Sequence, residues 1–189
     1  LPTDYPAMIE DRLHAELAEI ANLGLTRRRR VLDTPCGRTA TVDGKNVLNF
    51  ASNDYLGLAG NPELAAAMAD GATTWGAGSG ASHLVSGHLA PHEAIEQALA
   101  RFTGFARCLT FSTGYLANLA VTPTIAGRGD AVFADKLNHA SLIDAMQLAK
   151  ANGADVQRYP HNDMAALERQ LAASTATHKL IVTDAVFSM

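Results

Sequence analysis

The chain has 189 residues, of which 48% are hydrophobic and 18% are charged, and its net charge is −4. This composition is typical of a folded globular protein, and it excludes the basic footprint of a nucleic-acid-binding protein. The sequence has no apolar stretch long enough to span a bilayer and no signal-peptide pattern. Cys36 and Cys108 lie too far apart to form a metal-binding motif. We therefore expect a cytoplasmic protein with reduced cysteines and with no metal, nucleic-acid or membrane partner.

The first 50 residues predict a helix followed by a small β-hairpin. Apolar residues recur at helical spacing within residues 5–23, namely at Ile9, Leu13, Leu17 and Ile20. Gly24 is a typical residue just beyond a helix end. Asp43-Gly44 is a typical hairpin turn between the alternating halves of residues 38–50. We interpret residues 1–50 as an N-terminal segment and residues 51–189 as an incomplete larger domain.

Helices and strands alternate through the rest of the chain. The patterns predict helices over 62–75, 91–103, 115–126, 140–152 and 163–173, with a loop over 76–90. They predict strands over 108–111, 131–134, 155–159 and 179–186. This alternation indicates an α/β protein with a mostly parallel sheet covered by helices on both faces. Ligands bind at the carboxyl ends of such strands, so the loops 112–115, 135–139, 160–162 and from 187 onward are the expected site.

Two of these loops carry candidate chemistry. In "FSTGYLAN" (111–118), the free backbone N–H groups of a helix N-terminus could bind a phosphate, which Gly114 would let approach closely. An ordinary helix cap by Ser112 or Thr113 explains the same residues, and the glycine spacing is neither Walker nor Rossmann. In "ADKLNHAS" (134–141), the flat ring of His139 could stack on an aromatic cofactor, or His139 could simply lie in a helix cap.

Two earlier segments are also unusual. Residues 76–88, "GAGSGASHLVSGH", contain four glycines and predict an uncommon backbone path, although a flexible linker is the alternative. Residues 49–58, "NFASNDYLGL", place a polar turn between apolar positions. A plain connecting turn, in which Asn53 and Asp54 bind local backbone groups, would account for it.

Taken in order, these motifs and the final "VTDAVFSM" resemble the α-oxoamine synthases from about residue 25 to residue 189. That family has the type I aminotransferase fold and uses pyridoxal 5′-phosphate (PLP). The resemblance implies a three-layer PLP-binding domain, truncated here. It also implies that Gly114 and Tyr115 lie at the cofactor, that His139 stacks on the pyridine ring and helps to position substrate, and that Ser188 hydrogen-bonds the ring oxygen.

The resemblance also implies substrate contacts and partners. Arg27, or one of its neighbours up to Arg30, would hold a substrate carboxylate, with Asn53 nearby. The family condenses an amino acid with an acyl-CoA thioester and releases carbon dioxide, with PLP as the electron sink. The stretch "SHLVSGH" (82–88) resembles the members that join L-alanine to a pimeloyl thioester, carried by CoA or acyl carrier protein, in biotin biosynthesis. Members that use glycine or serine are the alternative. The glycine-rich loop implies a homodimer with shared active sites.

One family feature has no counterpart in the sequence. The lysine that binds PLP covalently and the aspartate that pairs with the pyridine nitrogen fall beyond residue 189 by the resemblance. The lysines present, which are Lys45, Lys136, Lys150 and Lys179, are not in a matching context. We therefore expect the natural protein to continue beyond Met189, and residues 1–189 alone to be inactive. A non-catalytic binding or regulatory fragment is the competing hypothesis.

Overall fold

The computed structural model describes residues 8–187, which fall into two structural units with bounds Leu1–Gly80 and Ala81–Met189. The first unit contains helix α1 (Met8–Asn22), strands β1 (Thr39–Val42) and β2 (Lys45–Leu48), and helix α2 (Pro62–Trp75). The second unit contains α3 (Ala90–Thr103), α4 (Gly114–Ile125), β3 (Ala131–Asp135), α5 (Ala140–Ala151), β4 (Asp155–Tyr159), α6 (Met164–Ala173) and β5 (Lys179–Val182). The expected boundary between residues 50 and 51 stays a prediction.

The elements of the first unit follow from local signals. Helix α1 ends just before Gly24, whose φ of 69° is in the left-handed region that glycine adopts readily. Strands β1 and β2 pair antiparallel, and Asp43 and Gly44 both have positive φ, as a type I′ turn requires. Helix α2 starts after Asn61, whose side-chain oxygen accepts from the amides of Glu63 and Leu64. The predicted hairpin and second helix are therefore confirmed, and so is the first helix from residue 8, while its predicted residues 5–7 lie outside the described residues.

The second unit is built around a parallel sheet in the order β4-β3-β5. The central strand β3 is buried along its whole length. On one face, Val132 and Ala134 pack with Met146 and Ala149 of α5. On the other face, Ala131 and Phe133 pack in a separate core, to which α6 contributes Ala166 and Leu167. Helices thus cover both faces, which confirms the expected three-layer α/β arrangement.

Two strand predictions need correction. Residues 108–111 are not a strand: the amide and hydroxyl of Thr110 both bind the Glu96 carboxylate at 2.9 Å, so this backbone is satisfied by a side chain of α3. The last strand ends at Val182 and not at residue 186. Beyond it, the amide of Asp184 donates to the side chain of Asn138 at 3.2 Å, which replaces a continuing sheet ladder. In both places side chains take over bonds that a strand neighbour would make.

The glycine-rich segment has an uncommon path, as its composition predicts. Residues 83–87 form a short π-helical turn, in which the amide of Gly87 donates to the carbonyl of Ser82 at 2.9 Å. Gly87 is buried, and a Cβ added there would lie 1.8 Å from the carbonyl oxygen of Ala81. No side chain fits at that distance, so the turn requires glycine at this position. A flexible linker does not describe this part of the segment.

Candidate functional site

The loops that follow the three parallel strands are bound together at the carboxyl edge of the sheet. Asp135 ends β3, and its carboxylate accepts from the amides of Leu137 at 2.8 Å and Asn162 at 3.0 Å. Nδ1 of His161, in the loop after β4, lies 3.1 Å from both carboxylate oxygens. The edge of the His161 ring contacts Phe187, beyond β5, with the ring centres 4.6 Å apart. The loops at the carboxyl edge of the sheet, where the sequence predicts a ligand site, are therefore linked to one another by side-chain contacts.

The Asp135 carboxylate is held in its charged form by these donors. Burial alone would raise the pKa of Asp135, because it disfavours a charge. The amides of Asn162 and Leu137, together with His161, outweigh burial and lower the pKa below its ordinary value. Asp135 is 2% exposed, so a neutral carboxyl group would leave those buried amides with a weaker acceptor. The carboxylate therefore anchors the loops after β3 and β4 directly, and His161 extends the contact to Phe187 beyond β5.

A second set of hydrogen bonds positions His139. The buried side chain of Asn138 donates to the carbonyl of Val182 at 2.8 Å, at the end of β5. It also accepts from the amide of Asp184, whose carboxylate in turn accepts from the amide of His139 at 2.7 Å. The backbone at His139 is thus fixed against the segment that follows β5. His139 itself is exposed and caps the N-terminus of α5.

The ring of His139 is also held on one side. Nδ1 lies 2.7 Å from the hydroxyl of Ser141 and accepts from the Ser141 amide at 3.2 Å. The Ser141 hydroxyl accepts from the side-chain amide of Asn118 at 2.9 Å, which joins α4 to α5. Ser141 is 1% exposed, so solvent does not compete for this bond. One ring nitrogen of His139 is therefore engaged by the protein.

The start of α4 presents open amides. The Thr113 side chain accepts from the amide of Leu116 at 3.2 Å, and the backbone carbonyl of Thr113 accepts from the amide of Ala117. Among residues 8–187, the structure gives no hydrogen-bond partner to the amides of Gly114 and Tyr115. A Cβ added at Gly114 would meet no atom within 4 Å. This open space beside two unpartnered donors at the positive end of a helix suits an anion such as a phosphate. The simple cap by Thr113 is also present, so the cap and the phosphate hypothesis are compatible.

Tyr115 adds a second link between the two helices. Its phenol donates to the carboxylate of Asp144 in α5. This hydrogen bond, with smaller contributions from burial and the negative charge of Asp144, raises the pKa of Tyr115. The phenol therefore stays protonated at neutral pH and keeps α4 and α5 aligned at the end that carries Gly114.

The structure brings together some predicted residues. Gly114, Tyr115 and His139 lie in the second unit, connected through the packing of α4 on α5. Ser188 lies outside the described residues. The sequence interpretation missed Asn118, Ser141, Asp144 and Asp184. Residues of these types are common in helices and loops. Their roles become visible only in the structure, where α4 packs on α5 and the loop after β3 bonds to the segment after β5.

Arg27 and Asn53 lie in the first unit. Arg27 is exposed in a segment without regular structure. Asn53 accepts from the hydroxyl of Tyr55 at 3.3 Å, and the neighbouring Asp54 carboxylate accepts from the amides of Leu58 and Ala59. Between positions 8 and 80, no hydrogen bond or ion pair joins Arg27 to Asn53. The local turn is as the simpler interpretation expects, and the substrate roles of both residues stay predictions.

Three histidines cluster near the start of α3. Nδ1 of His83 and Nδ1 of His88 are 2.8 Å apart, and Nε2 of His88 lies 3.2 Å from the carboxylate of Glu93. Nδ1 of His92 accepts from the amide of Leu89 at 2.9 Å. A histidine that accepts a hydrogen bond at Nδ1 keeps its proton on Nε2, which blocks that nitrogen as a metal ligand. His92 is therefore not available to a metal in this arrangement, while His83 and His88 contact each other and His88 contacts Glu93.

Comparison with known proteins gives a consistent relationship. A family model for aminotransferase class I and II matches residues 45–189. The 8-amino-7-oxononanoate synthase of Dechloromonas aromatica is 82% identical over 182 residues, which are 96% of this chain and 47% of that protein. The synthase of the same name from Herminiimonas arsenicoxydans is 62% identical and covers 96% of this chain and 46% of its own length. The chain thus spans about half the length of the curated relatives it matches.

Solved structures agree with this relationship. A serine palmitoyltransferase from S. paucimobilis, solved with PLP and myriocin bound, has a TM-score of 0.83 at 31% identity, over 95% of this chain and 45% of that one. An 8-amino-7-oxononanoate synthase from Francisella tularensis has a TM-score of 0.61 at 31% identity, over 74% of this chain and 37% of that one. They confirm the type I aminotransferase-like fold and PLP as the cofactor of the family. None of the helices formed by residues 8–187 is both long and apolar enough to cross a membrane. The chain belongs to the aminotransferase class I and II family.

Proposed function

We propose that the protein containing this chain is a PLP-dependent 8-amino-7-oxononanoate synthase. It would condense L-alanine with a pimeloyl thioester, carried by CoA or acyl carrier protein, in biotin biosynthesis. The C–S bond of the thioester breaks and a C–C bond forms, while the alanine carboxylate leaves as carbon dioxide and the thiol carrier is released. The observation that carries this proposal is the 82% identity to the Dechloromonas aromatica synthase along 96% of the chain.

The described residues fit one side of a PLP site. The unpartnered amides of Gly114 and Tyr115 would bind the phosphate, helped by the dipole of α4. The exposed ring of His139 would lie against the cofactor ring and contact the substrate, and Ser188 would bind the ring oxygen. When bound, PLP supplies the electron sink that the decarboxylative condensation needs. The covalent lysine would come from a part of the protein outside residues 1–189.

The remaining roles concern substrate and assembly. Arg27, with Asn53, would hold a substrate carboxylate, for which a guanidinium group is well suited. We further propose a cytoplasmic homodimer in which the glycine-rich segment of one subunit reaches toward the site of the other. Four of the 15 basic residues are adjacent, at Arg27–Arg30, and give this segment a local positive charge that suits a small anionic substrate.

Amino-acid-dependent release of CoA tests the proposal. The full-length protein, loaded with PLP, is supplied with pimeloyl-CoA and with alanine, glycine or serine in parallel, and the product is identified by mass spectrometry. We expect turnover with alanine and a product mass equal to 8-amino-7-oxononanoate. Preference for serine with a long-chain acyl-CoA would instead identify a sister synthase. A full-length protein that develops no visible absorbance with PLP would support the non-catalytic hypothesis.

A further inference from the structure

We propose that Asn118 and Ser141 are positioning residues that fix the His139 ring with its proton on Nε2, which leaves Nε2–H as the donor that faces substrate. The catalytic consequence rests on the proposed function, while the tautomer itself rests on geometry alone. Ser141 is the last residue of the motif that contains His139, and Asn118 is the last residue of the motif that contains Gly114, but neither motif assigns them a role. The inference follows from the direction of three successive hydrogen bonds.

The first step identifies the donor and the acceptor in the hydrogen bond between the side chains of Asn118 and Ser141. The side-chain nitrogen of Asn118 lies 2.9 Å from the Ser141 hydroxyl oxygen, and an amide NH₂ group can only donate. The hydroxyl oxygen therefore acts as the acceptor in this bond. Its single proton remains available for another partner. Because Ser141 is buried, that partner has to be a protein group.

The second step is the state of His139 Nδ1. This nitrogen lies 2.7 Å from the Ser141 hydroxyl, which is thus the donor toward it. The backbone amide of Ser141 also donates to the same nitrogen, at 3.2 Å. Two donors converge on Nδ1, and a proton there would oppose both of them. In the neutral imidazole the proton therefore resides on Nε2.

The third step concerns which polar group of the His139 side chain remains available to a ligand. The backbone amide of His139 is bound to the Asp184 carboxylate at 2.7 Å, and Asp184 is itself tied to Asn138. With the backbone and Nδ1 both held, Nε2–H is the remaining polar group of this side chain. His139 is exposed, so Nε2–H is accessible to a ligand. An N–H donor of this kind suits a carboxylate or carbonyl oxygen of the substrate.

An Asn118→Asp substitution reverses the first bond with little change in size. A carboxylate only accepts, so it would draw the Ser141 proton away from His139. With no hydroxyl donor, Nδ1 loses one of the two bonds that keep it unprotonated. The matched control is Asn152→Asp. Asn152 lies just after α5 and its side chain donates to the carbonyl of Pro123 in α4 at 3.4 Å, so it also bridges the two helices but is remote from His139.

Kinetics of the PLP-loaded, full-length protein separate positioning from structure. We expect Asn118→Asp to lower kcat/KM for alanine on the order of tenfold, the effect of one lost hydrogen bond, with PLP absorbance unchanged. Ser141→Ala should act similarly. In a double-mutant cycle Asn118→Asp should add little to Ser141→Ala, because both act through one donor. Additive effects, or equal effects of Asn118→Asp and Asn152→Asp, would overturn the proposal.

A direct readout of the tautomer needs no turnover. Long-range ¹H–¹⁵N NMR of the full-length, ¹⁵N-histidine-labelled protein reports which ring nitrogen carries the proton, and His139→Asn identifies the signal. We expect the Nε2–H tautomer in the wild type. A proton on Nδ1 would overturn the inference, even if the enzyme is fully active. Conversely, an Nε2–H tautomer in a protein without alanine-dependent turnover would uphold the positioning and reject the proposed reaction.

Discussion

At the scale of single residues, the notable property of Gly114 is the space that its missing side chain leaves open. A Cβ at this position would meet no atom of the protein within 4 Å, and its φ is not in the left-handed region. The fold therefore does not require glycine here, unlike Gly87, where a Cβ would overlap a backbone carbonyl. The empty space lies beside the amides of Gly114 and Tyr115. We propose that this space admits the PLP phosphate to those amides.

We expect Gly114→Ala to weaken PLP binding without lowering stability. The added methyl group would hinder the approach of the phosphate to the amides, and a lost hydrogen bond to a charged group corresponds to about tenfold or more in affinity. Titration of the full-length protein with PLP, followed by absorbance, measures this change. Gly71→Ala in α2 is the control, since a Cβ there also meets nothing. It should leave PLP affinity unchanged and stabilise the helix by up to about 1 kcal/mol. Equal PLP affinity in both variants would argue against a phosphate at α4.

Sequence reasoning finds some site residues and misses others for a physical reason. Gly114, Tyr115 and His139 are found because each stands in a strand-loop-helix pattern that is readable over a few residues. Asn118 and Ser141 are separated by 23 positions and meet only when α4 packs on α5. Nothing local distinguishes such a pair from solvent-exposed polar residues. Partners brought together by tertiary packing therefore stay invisible until the packing is known.

At the scale of elements, the loops after β3 and β4 depend on one ionised carboxylate. The folded state lowers the pKa of Asp135, so its stabilising contribution is present above the ordinary Asp range and is lost as pH falls through the folded pKa. We expect the urea midpoint of the full-length protein to fall as the pH drops below the ordinary Asp range, about pH 4. Asp135→Asn should reduce that dependence and cost about 2 kcal/mol at pH 7, since hydrogen bonds to a charged acceptor are weakened.

Asp155→Asn is the matched control for this experiment. Asp155 is exposed in β4, and its carboxylate accepts from the side chain of Gln157. Its replacement should change stability by less than about 0.5 kcal/mol, as is usual for surface positions. An Asp135→Asn protein with the same acid profile as the wild type would show that another group controls the acid transition.

The sequence predicts the helices well and the strands less well. The signals of a helix lie within its own residues, whereas a strand also depends on partners that are distant in the sequence. Helix α2 begins at Pro62 after an Asn61 cap and ends before Gly76, all within its own sequence. A strand is defined by its neighbour. Residues 108–111 have strand-like composition but bind Glu96, so they form no ladder. The same dependence shortens β5, where Asn138 takes the amide that a longer ladder would use.

At the scale of the whole molecule, residues 1–189 expose many large apolar side chains. Among the side chains that the structure describes, the most exposed, each at least 80% accessible, are Phe50, Tyr55, Leu56, Leu84, Val85, Phe102 and Val186. They occur in both units, and most lie outside regular helices and strands. Such surface is uncommon on a soluble monomer and typically contacts another protein segment.

We therefore expect residues 1–189, produced alone, to aggregate or remain partly unfolded and to be inactive. Size-exclusion chromatography with light scattering and a thermal melt would compare this segment with the full-length protein. The full-length protein should be monodisperse and melt cooperatively. A sharp melt and a single monomeric species for residues 1–189 would contradict the expectation.

The strand β3 separates two cores that share no side chain. Val132 and Ala134 belong to one core, and Ala131 and Phe133 belong to the other. Volume changes on the two faces should therefore show little energetic coupling, because residues without common contacts contribute almost additively. A substitution that changes side-chain volume on one face should then need no compensating change on the opposite face. The strand, with Asp135 at its end, and the loop that carries His139 should keep their place when either core is repacked.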